Sequence, residues 1–167
     1  RERHHYQPGF DQERGQRGED GRGRDPREDH SDEAHRAYGY SKRDDVFVRT
    51  DQSLTSSTRG DGSIYSSVAD LYKWDQGLHK SRLVKRDTLQ KAFTSGTQVD
   101  DDTGYGFGWF IETRRGLKTV SHSGNTIGCT QFIRRYLDRK FTIIVQANRN
   151  NAPLPSLVDK IEEIYFD

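Results

Sequence analysis

His122, Ser123 and Gly124 are consecutive and place an imidazole, a hydroxyl and a backbone without a Cβ at one point of the chain. An imidazole can take up or release a proton near neutral pH, and a hydroxyl both donates and accepts hydrogen bonds. Glycine allows another molecule to approach the backbone closely. The triplet suits acid–base chemistry, but it would equally suit a strand end followed by a polar turn. The surrounding elements decide between these interpretations.

The residues before the triplet predict a β-hairpin. From Tyr105 to Glu112 the side chains alternate with a period of two, and one face carries small residues. Arg114-Arg115-Gly116 is expected to form the turn, and residues 117–122 are expected to form the returning strand. Gly106 and Gly108 indicate that another element packs closely against this hairpin.

Two more strands are predicted after the triplet. The first covers residues 130–136, and the second covers residues 141–147 after a turn at 137–140. The second strand is nearly continuous in apolar residues, so we expect it at the centre of the sheet with both faces covered. An unpaired edge on so apolar a strand would favour self-association.

Three helices are also predicted. Ser67 is a suitable N-cap for a helix that runs to about His79, and Asp70 is placed to complete a capping box. A shorter helix is expected over 86–93, and Pro155 suits the first turn of a final helix. The residues expected to face inward are Val68, Leu71, Tyr72, Trp74, Leu78, Leu89, Ala92, Phe93, Leu157, Val158, Ile161, Ile164 and Tyr165. These elements indicate an α+β fold, an antiparallel sheet flanked by helices.

The first 36 residues differ in composition from the rest. Hydrophobic residues make up 30% of the chain, against roughly 45–50% in typical domains, and the deficit lies mainly in this segment. It cannot bury enough apolar area to offset its ordering entropy, so we expect a disordered charged tail over 1–36 and a folded domain over 37–167. Arg-Gly pairs in the tail are typical of nucleic-acid-binding tails. Interleaved Asp and Glu cancel their field, and the net charge is only +1, so nucleic acid is not an expected partner.

Composition argues against several other classes. No run of about 18 apolar residues is present, so no membrane-spanning helix is expected, and the charged start is not a signal peptide. Cys129 is the single cysteine and cannot form an internal disulfide. The acidic residues and histidines at 29–35 lack the spacing of a helical metal site, so neither a metal nor another cofactor is expected. The sequence contains no methionine, even at position 1, which indicates a processed or excised piece.

Several motifs occur in the order found in one superfamily. They are GDGSIYSSVADLYKW at 60–74, YGFGW at 105–109, HSG at 122–124 and FIRRYLDRKFTIIVQANR at 132–149. With the closing helix, this order resembles the C-terminal half of the serine β-lactamase-like superfamily, which comprises class C β-lactamases, D-Ala-D-Ala carboxypeptidases and penicillin-binding esterases. The resemblance covers residues 37–167. It implies acyl transfer on an amide or ester, a small-molecule or peptide acyl substrate, and no cofactor; members are often periplasmic or secreted.

The resemblance also implies roles for the triplet, because His-Ser/Thr-Gly lies on the strand at the edge of the active site in that superfamily. His122 would act electrostatically and handle protons near the nucleophile. Ser123 would hydrogen-bond the substrate carboxylate or the base. Gly124 would let the acyl group lie against the strand, and the backbone N–H of Asn125 would be one of two oxyanion-hole donors.

Aromatic residues close to the triplet are expected to build the site or the core beneath it. Tyr105 and Trp109 are expected to line the pocket. The core is the alternative position for Trp109, as it is for Phe107 and Trp74. None of the three is expected to stack on a nucleic-acid base.

The nucleophile of the superfamily has no counterpart in the sequence. Catalysis there begins with the Ser of a Ser-x-x-Lys motif, and the Lys and the Tyr of a Tyr-x-Asn motif manage protons. No Ser of this chain is followed three residues later by Lys, and no Tyr is followed two residues later by Asn. The chain is therefore predicted to be a C-terminal fragment of a serine hydrolase that is inactive alone. The alternatives are a non-catalytic remnant that binds a ligand or partner, and an Arg-rich-tailed binding module unrelated to hydrolases.

Overall fold

A computed structural model describes residues 36–50, 62 and 64–167 of the chain. The tail predicted over 1–36 lies, except for Arg36, outside these residues and stays a prediction. The elements are β1 (Tyr40–Arg43), β2 (Val46–Arg49), α1 (Val68–His79), α2 (Arg86–Ala92), β3 (Thr97–Gln98), β4 (Gly104–Tyr105), β5 (Phe110–Arg114), β6 (Leu117–Thr126), β7 (Cys129–Tyr136), β8 (Phe141–Ala147) and α3 (Leu154–Phe166). The three predicted helices are present, the ends of the first two lie within one residue of those expected, and Pro155 is in the first turn of the third. The α+β class is confirmed.

The strands β3 to β8 form an antiparallel sheet in which each strand pairs with its neighbours in the chain. The strands β1 and β2 form a separate hairpin. Arg115 and Gly116 connect β5 to β6 with φ of 52° and 73°, positive at both positions as a type I′ turn requires. The predicted hairpin turn is therefore confirmed. Ile127 and Gly128 connect β6 to β7 by a turn of the same length.

Backbone contacts join the first hairpin to the turn after β6. Tyr40 donates its N–H to the carbonyl oxygen of Gly128 at 3.1 Å. A Cβ built on Gly39 would lie 2.8 Å from that same oxygen. The two backbones can approach this closely only because Gly39 and Gly128 lack side chains.

The strand predicted over 105–112 is interrupted by a tight turn. Gly106 donates its N–H to the carbonyl of Trp109 at 2.9 Å, and Gly108 has a φ of 75°. Such a φ bends the chain away from an extended strand, so β4 and β5 form a hairpin where one strand was predicted. The close packing predicted at the glycines is confirmed at Gly106, where a Cβ would lie 2.2 Å from the carbonyl oxygen of Ala92. At Gly108 the space is open, so the reason for that glycine is its φ.

The apolar strand predicted over 141–147 has the expected limits but a different position. It forms β8, which is the last strand of the sheet and pairs with β7 alone among the described strands. The prediction of a central strand is therefore wrong. The helices α1 and α3 both contact β8, so the predicted double covering is present. Helix cover on both faces explains why an edge strand is so apolar.

The sheet separates two apolar clusters. On one face, α1 and α2 pack against β5 and β6; on the other, α3 packs against β7 and β8. Burial of each such side chain is worth about 1.5–3 kcal/mol. The buried members are Leu78, Phe93, Trp109 and Val120 in the first cluster and Phe132, Ile143, Leu154 and Val158 in the second.

The helix α1 has the predicted N-cap but turns a different face to the sheet. The Ser67 hydroxyl accepts a hydrogen bond from the N–H of Asp70 at 3.1 Å and donates one to its carboxylate at 3.0 Å. Tyr72 is 56% exposed, and Val68 is also exposed, although both were expected inside. Asp75 takes the inward position. Leu78 is buried as predicted, so hydrophobicity alone predicts the inward face of this helix only in part.

Asp75 is buried because it pairs with an arginine. The Nε of Arg135 lies 2.6 Å from its Oδ1, and each side chain is 1% exposed. Thr142 donates its hydroxyl to the same oxygen at 3.0 Å, and His79 Nε2 lies 3.6 Å from Oδ2. Burial, and after it the charge of Arg135, lowers the pKa of His79, while Asp75 opposes the shift.

The helix α3 also buries a carboxylate where apolar residues were expected. Val158 is buried as predicted, but Ile164 is 84% exposed, and Leu157 and Tyr165 are exposed too. Glu162 lies inside instead, 2% exposed. The predicted stripe is therefore partly wrong, because the ion pair of Glu162 with an arginine on this face of the sheet favours a different rotation of the helix.

Glu162 is held by two arginines of the sheet. Its carboxylate accepts hydrogen bonds from Arg134 on β7 at 2.5 Å and from Arg114 on β5 at 3.3 Å, and Asp159 accepts from both arginines. Burial, with a contribution from Glu162, raises the pKa of the neighbouring Tyr136 to about 12. The two adjacent arginines of β7 thus point to opposite faces, and each binds a carboxylate from a different helix.

Candidate active site

The strand β6 extends past the end of its partner β5. Pairing between the two strands stops at Ser121, which lies opposite Phe110. The next five residues, His122–Thr126, pair with β7 on their other side. No described strand covers their β5 side, so the predicted triplet lies on an open strand edge. The strand also continues four residues beyond the predicted end at His122.

Strand geometry determines which backbone groups point to the open edge. Leu117 lies opposite Arg114 across a two-residue turn, so its N–H and C=O point toward β5. Every second residue of a strand points the same way. The N–H and C=O groups of Ser121, Ser123 and Asn125 therefore point to the β5 side, where β5 is no longer present beyond Ser121. This leaves the Asn125 N–H directed outward, as an oxyanion donor requires.

The side chains of the triplet divide between the two faces of the sheet. His122 lies opposite Ile133, which packs on the first cluster, and Gly124 shares its face. Ser123 lies opposite Phe132 of the second cluster. By register, His122 and Gly124 start from the face of Ile133, whereas the exposed Ser123 lies on the α3 side of the edge. The His122 ring nevertheless contacts Phe110 and Tyr105, which the register places on the α3 side.

His122 is held between two aromatic residues. Its Nε2 lies 3.4 Å from the hydroxyl oxygen of Tyr105, and its ring stacks on Phe110 with centroids 5.8 Å apart and planes at 29°. Tyr105 and Phe110 meet edge to face at 4.9 Å. The short β4–β5 pairing brings both rings to the end of β6. Phe110 was not singled out from the sequence, and its position opposite Ser121 is the signal that identifies it.

Trp109 lies in the core beneath the site. It is 8% exposed, stacks on Trp74 at 6.1 Å and meets Phe93 edge to face at 5.6 Å. Of the two positions considered for Trp109, the core is the one observed, whereas Tyr105 and Phe110 are the aromatic residues that contact His122. Trp109 supports the β4–β5 turn that carries Tyr105.

The space over Gly124 is occupied by a carboxamide. A Cβ built on Gly124 would lie 2.9 Å from Oε1 of Gln131, which faces it from β7. The end of a glutamine side chain moves easily, so a ligand that lies against Gly124 would displace it. Gln131 was not predicted as a site residue, because only the pairing of β6 with β7 places it opposite Gly124.

The side chain of Asn125 is also fixed. Its Nδ2 donates to Oδ1 of Asn151 at 2.8 Å, and its Oδ1 accepts from the backbone N–H of Asn151 at 3.1 Å. Asn151 lies between β8 and α3, 26 residues further along the chain. This contact was not predicted, because sequence patterns give no signal for a contact between an amide on a strand and an amide in a distant loop.

The described residues contain neither a metal-binding cluster nor a membrane-spanning helix. Within residues 36–50, 62 and 64–167, no three His, Cys, Asp or Glu side chains are grouped so that they could hold a metal ion. In the same part of the chain, no helix is long and apolar enough to cross a membrane.

Comparison with known sequences shows a match to one family model and similarity to two penicillin-binding proteins. The family model described as Beta-lactamase matches residues 1–164, which includes the charged N-terminal segment. Penicillin-binding protein 4* of Bacillus subtilis is 29% identical over 131 residues, which are 69% of this chain and 28% of that protein. The putative penicillin-binding protein PbpX of the same organism is 28% identical over 65% of this chain and 26% of its own length. The chain thus spans little more than a quarter of these two relatives.

Solved structures show the same fold. A penicillin-binding protein from Bacillus halodurans matches with a TM-score of 0.65 and 21% identity over 77% of this chain and 40% of its own. A D-stereospecific amidohydrolase from Streptomyces matches with a TM-score of 0.58 and 21% identity over 68% and 35%. An octameric penicillin-binding protein homologue from Pyrococcus abyssi matches with a TM-score of 0.59 and 28% identity over 67% and 26%. The chain therefore belongs to the beta-lactamase family, within the superfamily of serine hydrolases that its motifs resemble.

Proposed function

We propose that this chain supplies one side of an acyl-transfer site that acts on an amide or ester. The observation that carries the proposal is the open edge of β6, where His122 and the outward N–H of Asn125 lie three residues apart on one strand. The Asn125 N–H would donate to the carbonyl oxygen as it gains negative charge, a contribution of about 2.7–4 kcal/mol for one such donor. His122, oriented by Tyr105, would handle a proton close to the reacting carbonyl.

Ser123 and Gly124 would hold the substrate. The Ser123 hydroxyl would bond a substrate carboxylate from the α3 side of the edge, or the base of the complete site. Gly124 would let the acyl group lie against the strand once the carboxamide of Gln131 moves aside. The names of the relatives, which include penicillin-binding proteins and a D-stereospecific amidohydrolase, support a small-molecule or peptide acyl substrate.

The chain would be inactive alone. Acyl transfer needs a nucleophile, and neither Ser-x-x-Lys nor Tyr-x-Asn occurs in the sequence. An oxyanion donor and an imidazole polarise a carbonyl but form no acyl intermediate. Catalysis would therefore require groups supplied by residues beyond those of this chain, as expected for a C-terminal fragment of a serine hydrolase.

A second candidate is a binding remnant that uses the same edge without catalysis. The backbone groups of Ser123 and Asn125 favour it, because no strand among the described residues pairs with them on this side and an extended peptide can add to such an edge. Self-association through the outer edge of β8 is a further proposal for the isolated chain. The third interpretation, a module unrelated to hydrolases, is excluded by the family match.

Two measurements test the proposal. The isolated chain should give no turnover of a chromogenic ester or cephalosporin above buffer, and intact mass should show no stoichiometric acylation; an acyl adduct on any Ser would contradict it. Residues 37–167 can then replace the matching segment of the Bacillus subtilis penicillin-binding protein 4*, which contributes the rest of the domain. In that chimera His122→Ala should lower acylation by about 10²-fold, whereas Lys118→Ala, at another exposed β6 residue, should not. A folded but inactive chimera would favour the binding remnant.

A further inference from the structure

We infer that Asn151 is a positioning residue that fixes the direction of the Asn125 N–H at the open edge. A role of Asn151 in catalysis rests on the proposed function, whereas its hydrogen bonds to Asn125 are independent of that proposal. The residues from His122 to Thr126 are paired on one side, and strand ends of this kind open locally with little cost in free energy. A donor aimed at a developing charge must instead be preorganised. Asn151 holds the Asn125 side chain by two hydrogen bonds and so restricts the motion of the residue that carries the donor.

The Asn125 carboxamide is satisfied at both ends. Its Nδ2 donates to Asn151 Oδ1 at 2.8 Å, while its Oδ1 accepts from the Asn151 backbone N–H at 3.1 Å. Thr130 Oγ1 lies 3.1 Å from the same Oδ1 and 2.9 Å from the carbonyl oxygen of Arg149. A hydroxyl has one proton, so Thr130 can donate to one of these acceptors at a time. The Asn151 bonds hold Asn125 whichever acceptor Thr130 uses.

The segment that carries Asn151 is itself anchored on both sides. Asn150 donates its backbone N–H to the carbonyl of Tyr40 at 3.0 Å, and Ala152 donates to Thr130 Oγ1 at 3.3 Å. Leu154, at the start of α3, is buried in the second cluster. Asn151 has a φ of 53°, a left-handed conformation that asparagine adopts more readily than most residues. Asparagine therefore meets two needs at this position, the turn and the side-chain acceptor.

The two needs can be separated by substitution. Asn151→Gly keeps the positive φ and the backbone N–H but removes Oδ1. Asn151→Asp keeps an oxygen acceptor for the Asn125 amide, and so should rescue the contact. Asn150→Gly is the matched control, because the hydrogen bond of Asn150 described above comes from its backbone and survives the change.

Amide hydrogen exchange measured by NMR on the full chain tests the inference. The N–H groups of Gly124 and Thr126 point toward β7 and report on the pairing of the strand end. In Asn151→Gly their exchange should accelerate about fivefold to tenfold, the equivalent of one net hydrogen bond. Exchange should change less than about twofold in Asn151→Asp and Asn150→Gly. The Asn125 side-chain amide resonances should shift in Asn151→Gly and stay near their wild-type positions in Asn151→Asp.

The amides of Thr119 and Ser121, which pair with β5, serve as internal references and should not respond. Equal acceleration at these references would show general destabilisation and overturn the inference. So would unprotected Gly124 and Thr126 amides in the wild type, or no change in Asn151→Gly. The readout needs no turnover, so it separates the two proposals. A normal exchange pattern beside an inactive, folded chimera would remove the acyl-transfer function and leave the positioning contact in place.

Discussion

Asp75 on α1 and Arg135 on β7 form a buried ion pair with 2.6 Å between Oδ1 and Nε. Arg135 lies opposite Val120 of β6, two residues before the open edge begins at His122. Removal of one partner leaves an uncompensated buried charge. We therefore expect Asp75→Ala to lower the free energy of unfolding by about 3–5 kcal/mol. Lys73→Ala, which breaks an exposed pair with Asp70 on the same helix, should cost less than about 1 kcal/mol. Urea titration of the three proteins measures both, and equal losses would contradict the prediction.

His79 should make stability depend on pH. Burial and the Arg135 charge hold its pKa below the ordinary value of 6.5, so the unfolded chain binds the proton more readily than the folded chain. This contribution to stability is complete above about pH 6.5 and is lost as the pH falls through the folded pKa. The free energy of unfolding, measured from pH 8 to pH 5, should fall less steeply in His79→Gln than in the wild type. Parallel curves would show that another group is responsible.

Glu162 and Glu163 are adjacent on α3 and provide a matched pair of substitutions. Glu162 is buried against Arg134, whereas Glu163 is exposed. We expect Glu162→Ala to cost about 3–5 kcal/mol and Glu163→Ala to stay within about 0.5 kcal/mol in chemical unfolding.

A second substitution of Glu162 should affect the neighbouring phenol of Tyr136. Glu162 is one of the causes that raise the pKa of Tyr136 to about 12, so Glu162→Gln should lower that value, while burial keeps it above 10. Ultraviolet titration of the phenolate measures the shift. A Tyr136 that ionises near pH 10 in the wild type would contradict the buried environment of this residue.

Gly106 and Gly108 should respond differently to alanine. At Gly106 a Cβ would lie 2.2 Å from a backbone oxygen of α2, which cannot move aside alone, so we expect a loss above about 3 kcal/mol or failure to fold. At Gly108 the space is open and the φ of 75° is the only obstacle, so the loss should be about 1–2 kcal/mol. Thermal unfolding of the two variants gives the order, and a larger loss at Gly108 would refute the assignment of these roles.

Local signals predicted the elements well. The limits of β8 follow from an apolar run bounded by turn residues, and Ser67 begins α1 because its hydroxyl meets the free Asp70 N–H. The Arg115-Gly116 turn follows from the glycine, which adopts a positive φ without strain. These are properties of neighbours in the chain, and sequence shows them directly.

The errors come from interactions between distant residues. Hydrophobic periodicity predicts that Tyr72 and Ile164 face inward, but both are exposed. The carboxylates Asp75 and Glu162 face inward instead, because each forms an ion pair with an arginine of β7. The same limit applies to the site. The triplet could be located from its residue types, but the open edge depends on where β5 ends, and the contact of Asn125 with Asn151 depends on a loop 26 residues away.

The difference in length between β5 and β6 also sets a size limit. Five residues of strand, His122–Thr126, separate the last β5 contact from the turn that begins at Ile127. At about 3.3 Å per residue, roughly 16 Å of strand edge has no partner strand within the part of the chain that the structure describes. An extended ligand of four or five residues would fill it from end to end. The register of the β5–β6 hairpin thus determines the length of an extended ligand that this strand edge can bind.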